Sequence, residues 1–153
     1  MNEKMEVINK LLIELFNNVQ EIEEKALKCE EISDLSITEI HTIEVIGINT
    51  EKTMSQIAKS LKITSGTLTA CINKLIKKGY VERKRIEEDR RVVLINLTEK
   101  GENAYKYHEK FRDDMINNTT KKLDEEEQEV LISSLSKIKK FFMENIIYKS
   151  IIS

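Results

Sequence analysis

The chain of 153 residues has no proline and only four glycines. These are the main local breakers of regular structure, so their scarcity predicts long uninterrupted elements and a mainly α fold. Two cysteines, Cys29 and Cys71, and two histidines, His41 and His108, complete a short supply of metal-binding side chains. None of the four stands at zinc-ligand spacing from another, and the cysteines are expected to remain thiols in a reducing compartment. Neither GxxxxGK[ST] nor GxGxxG occurs, which removes the common phosphate-binding enzymes. Ser/His/Asp, Cys/His and paired-carboxylate spacings do not rise above chance, so the expectation is a protein without catalysis or cofactor. Long apolar runs are missing as well. Stretches such as 92–95 fall far short of a membrane span. The opening MNEKMEVINKLLIELF interrupts its apolar residues with acids, unlike a secretory signal, so a cytoplasmic location is expected.

What is present is an uneven charge. The net value of −2 suggests no anionic partner, but it is the sum of unlike segments. Residues 1–51 carry 4 basic and 12 acidic side chains, residues 52–100 carry 12 and 5, and residues 101–153 carry 9 and 10. From Thr53 to Tyr80 there is no acid at all. One basic segment in an otherwise neutral or acidic chain is the electrostatic footprint of a protein that meets polyphosphate through that segment alone. A solvated basic face explains the charge equally well until structure is added.

Apolar residues at 5, 8, 12, 15, 16, 19 and 22 recur with helical period and predict a long first helix over about 5–30. Ser36 with Glu39 is a capping box that opens a second helix to about residue 48, apolar nearly all round and therefore central. Thr53 with Gln56 repeats the pattern and starts a short third helix. Thr64 or Ser65 caps a fourth, with Leu68, Ile72, Leu75 and Ile76 on one face and Gly79 at its C-terminal stop. The period then changes to that of strands at 80–86 and 92–97, separated by a charged hairpin tip. Thr98 caps a fifth helix bearing Ala104, His108, Phe111 and Met115 on one face. Asp124 with Glu127 opens the last helix, whose stripe runs from Val130 to Ile146. The length fits a single domain over 1–153: a core at about 36–100, flanked by long helices at about 5–30 and 99–148.

Two short helices joined by a tight turn and followed by a β-hairpin form the plan of a winged helix-turn-helix, in which the second helix enters the major groove. Here that plan coincides with the basic segment. The side of the fourth helix opposite its apolar face carries Gly66, Thr67, Thr69, Ala70, Asn73, Lys74 and Lys77. Small residues admit close approach, hydroxyl and amide groups reach base edges or phosphate, and lysines neutralise the backbone. The helix N-terminus at Thr64 and Ser65 adds N–H groups for phosphate, and Ser55 on the third helix joins the candidate contacts.

These residues resemble the MarR family of winged-helix transcription regulators over nearly the whole chain. DRRVVLINLTEKG at 89–101 matches the family's wing and the start of the next helix, and SQIAKSLKITSGTLTACINKLIKKGYVER at 55–83 matches the helix-turn-helix. The resemblance implies a homodimer, interleaved through its first, fifth and sixth helices, that reads a pseudo-palindromic double-stranded operator. It assigns the wing role to Asp89, Arg90 and Arg91, with one arginine in the minor groove and the aspartate holding the tip. IHTIEVIG at 40–47, GTLTACINKL and the wing are most similar to family members that regulate fatty-acid biosynthesis in Gram-positive bacteria. For these the implied corepressor is a long acyl chain on acyl carrier protein. The alternatives are a MarR-type sensor of phenolic or oxidant ligands, and a winged-helix protein-interaction module that binds no nucleic acid. Independently of the family, the terminal apolar stripes exceed what the winged core can cover, which itself points to a dimer.

His41 and Glu44 lie one turn apart on the second helix. Their plain reading is a mutually hydrogen-bonded pair in the core, and His108 reads as a satisfied core or interface histidine. The sharper reading makes them polar groups of an effector cavity whose walls include Phe16, Val19, Ile40, Ile43 and Phe111. Some MarR relatives sense peroxide through a first-helix cysteine, which would be Cys29 here, but its acidic surroundings disfavour the thiolate.

Overall fold

The computed structural model describes residues 2–28 and 31–144. Cys29, and the expected helix ends at 29–30 and 145–148, lie outside those residues. The elements in order are α1 (Glu3–Leu27), α2 (Ile37–Ile46), β1 (Lys52–Thr53), α3 (Met54–Leu61), α4 (Ser65–Lys78), β2 (Val81–Arg85), β3 (Val93–Leu97), α5 (Glu99–Thr120) and α6 (Glu125–Glu144). The fold is mainly α with a small winged sheet. Two compact units divide within α5: Met1–Phe111 and Arg112–Ser153.

Local chemistry sets the helix boundaries. At α2 the Ser36 hydroxyl accepts from the Glu39 N–H at 3.2 Å while the Glu39 carboxylate accepts from the Ser36 N–H at 2.8 Å. The same reciprocal box is closed by Thr53 and Gln56 at α3 and by Asp124 and Glu127 at α6. Helix α4 ends at Gly79, whose φ of +86° is left-handed. The Gly79 and Tyr80 N–H groups donate to Ile76 and Leu75, each at 3.0 Å, so Tyr80 completes a Schellman cap instead of opening the strand.

The sheet is antiparallel in the order β1-β3-β2, with Val81 opposite Leu97, Arg85 opposite Val93, and Lys52 opposite Ile95. The hairpin was legible in the sequence. Strand β1 was not, because two residues cannot display a period. In the first unit the core gathers Ile40, Ile43 and Ile46 of α2, Ile57 of α3, Leu68, Ile72 and Leu75 of α4, and Ile95 of β3, none with any exposed surface. Cys71 packs there too, 3.3 Å from the Thr42 hydroxyl, and burial pushes its thiol up and keeps it neutral.

The junction between wing and α5 explains the LTEKG sequence. Thr98 donates from its N–H to the Tyr80 carbonyl at 3.0 Å and from its hydroxyl to the Gly79 carbonyl at 2.6 Å, and its oxygen accepts from the Gly101 N–H at 3.2 Å. A Cβ on Gly101 would stand 2.1 Å from the Tyr80 carbonyl oxygen, so only glycine fits. A second polar tie fixes α4 against α2. Lys78 Nζ donates to both Glu39 carboxylate oxygens, at 3.0 and 2.8 Å, and to the Asp34 carbonyl. Tyr80 OH donates to Asp34 Oδ1 at 2.5 Å. Burial alone would raise the Glu39 carboxyl, but the Lys78 and Ser36 hydrogen bonds outweigh it and hold the group below its ordinary value.

The terminal helices look different. On α1, Met5, Ile8, Leu12, Leu15, Phe16 and Val19 are exposed, and in the second unit α6 exposes Val130, Leu131, Ile132, Leu135, Ile138 and Phe141. Among the described residues no helix is long and apolar enough to cross a membrane.

Candidate nucleic-acid interface

Helices α3 and α4 are joined by a three-residue turn at 62–64. Lys62 takes the left-handed conformation there at φ 55°, and the Ile63 N–H returns to the Ala58 carbonyl at 3.2 Å. Helix α4 then buries Leu68, Cys71, Ile72 and Leu75, which turns its opposite face to solvent. Thr67, Thr69, Asn73, Lys74 and Lys77 are all exposed there, together with Ser65 and Gly66 at the N-terminus and Ser55 on α3. The structure thus leaves the helix-borne candidates exposed together on α3 and α4, neither of which carries an acid, with Lys74 and Lys77 at the border where Asp34 and Glu39 begin. Their chemical states differ. The Thr64 hydroxyl caps α4 by accepting from the Thr67 N–H at 3.2 Å, so this residue shapes the helix N-terminus before it touches anything else. Thr69 donates its hydroxyl to the Ser65 carbonyl at 2.8 Å, which leaves its oxygen as an acceptor. Asn73 is held by Arg83 Nη2, 2.5 Å from Oδ1.

The wing tip is held by its aspartate. Asp89 Oδ1 accepts from the Arg91 N–H and the Asp89 carbonyl from the Val92 N–H, both at 3.0 Å. The Arg90 carbonyl accepts from Arg85 Nη1 at 3.1 Å. This bracing leaves the Arg90 and Arg91 side chains exposed at the tip.

Strand β2 carries basic residues that the sequence analysis does not single out: Arg83, Lys84 and Arg85 are exposed in a row, with Lys84 Nζ 3.1 Å from Glu51 Oε1. The sequence analysis reads 80–86 only as a strand, although residues i and i+2 of a strand share a face, which sets Arg83 and Arg85 on the same side. Lys78, by contrast, is committed to Glu39 and belongs to the scaffold.

The effector candidates are divided. Ile40 and Ile43 are wholly inside the core, whereas Phe16 and Val19 are exposed on α1. His41, Glu44, His108 and Phe111 do gather where α1, α2 and α5 meet, with Glu23 as a member the sequence did not reveal. His108 is 1% exposed; its Nδ1 lies 2.8 Å from Glu44 Oε1, and its Nε2, 3.8 Å from Glu23 Oε1, has no hydrogen-bond partner among the described residues. His41 Nε2 lies 3.3 Å from Glu23 Oε1 with its side chain 39% exposed, so the expected interior His41–Glu44 pair is corrected: His41 sits at the surface and reaches α1. The histidine rings stand edge-on, 6.3 Å between centroids, and His108 meets Phe111 at 5.8 Å.

A helix-turn-helix with a three-stranded wing and an acid-free outer helix defines a winged-helix DNA-binding regulator. The comparisons agree. A family model described as the MarR family matches residues 35–93. FabT of Streptococcus pneumoniae, crystallised in complex with DNA, is 41% identical, with 92% of this chain and 98% of that one covered and a TM-score of 0.87. The transcriptional regulator SarZ of Staphylococcus saprophyticus is 34% identical over 66% of this chain and 70% of its own. SarZ of Staphylococcus haemolyticus is 29% identical over 85% and 87%. The chain belongs to the MarR family of helix-turn-helix transcription regulators. It is a DNA-binding regulator and not an enzyme.

Proposed function

We propose that the protein is a homodimeric repressor, one domain per chain, that grips a pseudo-palindromic operator with α4 in the major groove and the wing arginines in the minor groove. The observation that carries this reading is the exposed, acid-free face of α4 beside a wing braced to present Arg90 and Arg91. Groove-facing lysines and arginines would release counterions from the duplex, while Thr67, Thr69 and Asn73 supply hydrogen bonds to base edges. Dimerisation is supported by the exposed apolar residues of α1 and α6, since contiguous apolar surface of this kind marks an interaction site.

The finer reading is repression of fatty-acid biosynthesis genes with a long-chain acyl carrier protein as corepressor. It rests on the likeness to FabT and on the similarity of 40–47, α4 and the wing to regulators of that pathway. Carrier protein is acidic, and residues 52–100 supply basic surface for it. The test is binding of the purified chain to its own upstream promoter, with and without carrier protein bearing a long acyl chain. Tighter binding with the charged carrier supports the reading. Promoter binding that ignores the carrier but responds to a phenolic or oxidant ligand replaces the effector and keeps the regulator. Absence of DNA binding under all conditions leaves a protein-interaction module.

A further inference from the structure

Resting on the assignment of α4 to the major groove, we infer that Arg83 is a positioning residue that makes Asn73 a one-way reader of bases. A carboxamide can usually turn either end toward DNA. Here it cannot, because the group against it is a guanidinium, which has only donors. The contact of 2.5 Å between Arg83 Nη2 and Asn73 Oδ1 is therefore compatible with one orientation: oxygen toward the arginine, Nδ2 away from it. The opposite flip would set N–H groups against N–H groups. Strand β2 follows α4 through the tight Gly79–Tyr80 turn, so the two side chains, ten residues apart, are brought together by the scaffold and not by a flexible loop. Both are exposed, which leaves the Nδ2 hydrogens open to a ligand.

An outward donor selects acceptors. In the major groove guanine presents two adjacent ones, N7 and O6. Adenine pairs one acceptor with the N6 donor, and cytosine presents a donor. The usual bidentate asparagine–adenine pair needs the amide oxygen as well as the nitrogen. With one of its two lone pairs taken by Arg83, that oxygen is the weaker and less freely aimed acceptor for adenine N6, while Nδ2 keeps its full donor capacity. Asn73 as held by Arg83 therefore prefers guanine over adenine and cytosine at one position of each half-site. Removing the guanidinium frees the amide to turn and restores the adenine pair.

The experiment measures affinities of the full-length protein for operator duplexes carrying each base at each half-site position. It compares the wild type with Asn73→Ala, Arg83→Met, Arg83→Lys and the Asn73→Ala/Arg83→Met double variant. The wild type should favour guanine over adenine at one position by roughly 5- to 150-fold, the range of a good base contact. Asn73→Ala should flatten that position alone. Arg83→Met should move its preference toward adenine, Arg83→Lys should retain guanine because an ammonium also donates to Oδ1, and the double variant should match Asn73→Ala there. Unfolding midpoints, unchanged for these exposed substitutions, separate the effect from loss of fold. Equal weakening of all duplexes by Arg83→Met, with the base profile intact, overturns the inference and leaves Arg83 a phosphate contact. A profile that Asn73→Ala does not flatten overturns it by removing Asn73 from base reading. If the wild type binds no duplex, the groove assignment itself falls, and the inference with it.

Discussion

Helices α2 and α6 use the same apolar residue types to opposite ends. Ile40, Ile43 and Ile46 of α2 have no exposed surface, whereas Ile132 of α6 is 65% exposed. The first helix is surrounded by partners drawn from the winged core; the second presents its isoleucines and leucines to solvent within its own unit. Burial of an apolar side chain contributes roughly 1.5–3 kcal/mol, so α2 has gained within its unit what α1 and α6 have not gained within theirs. The difference teaches that the winged core is complete as it stands, while the terminal helices leave apolar residues exposed, as the proposed dimer requires. In the proposed dimer the complete part would hold α4 in a fixed posture, and the terminal helices would set the spacing of two such helices.

The largest effect should come from breaking the incomplete half. Leu135→Lys with Ile138→Lys places charges on the α6 stripe, where a lysine facing an apolar partner has no compensation. Sedimentation should show monomers, and operator affinity should fall by about 10²- to 10⁴-fold, because two linked half-sites become two independent ones. An unchanged oligomer would remove α6 from the interface.

The complete half should resist added atoms. Gly101→Ala drives a methyl against the Tyr80 carbonyl and should destabilise the chain by about 3 kcal/mol, measured by denaturant unfolding. Next in size is Glu39→Gln, which deprives half-buried Lys78 of its anion and should cost about 1–2 kcal/mol. The sign with pH follows from the depressed carboxyl. Its contribution is complete above the ordinary value of 4.5 and is lost as pH falls through that value toward the lower folded one. The wild type should therefore lose stability over that acid range more steeply than the glutamine variant. Smallest is Gly66→Ala on the solvent face of α4, where the added methyl meets nothing. It should stabilise the helix by about 0.5–1 kcal/mol while weakening DNA binding, which distinguishes an open surface from a close-approach surface.

Much of this was legible in the sequence because it is local. Capping boxes at Ser36, Thr53 and Asp124 need only a spacing of three, the Gly79 stop needs only a glycine, and the acid-free stretch needs only counting. The features that were not legible depend on residues far apart in the chain. Glu23 meets His41 across 18 positions and Glu44 meets His108 across 64. Periodicity places His41, Glu44 and His108 on helix faces but cannot pair the faces, and it gives no reason to single out Glu23. The same limit hid the commitment of Lys78 to Glu39. Arg83 is hidden for the same reason: four consecutive charges at 82–85 give no sign in the sequence that Asn73 of α4 lies beside one of them.

The central claim is that an acid-free helix and a braced wing on a complete core touch DNA. The most direct test is titration of the protein into an operator duplex at several salt concentrations, with the Arg90→Ala/Arg91→Ala double variant in parallel. The wild type should bind in a sequence-dependent way with a steep negative slope of log K against log salt. In the variant, affinity should fall and the slope should flatten by about 0.9 for each phosphate charge no longer neutralised, with contributions from both wings of a dimer. Equal affinity for operator and random DNA, or a double variant whose affinity and slope match the wild type, would contradict it.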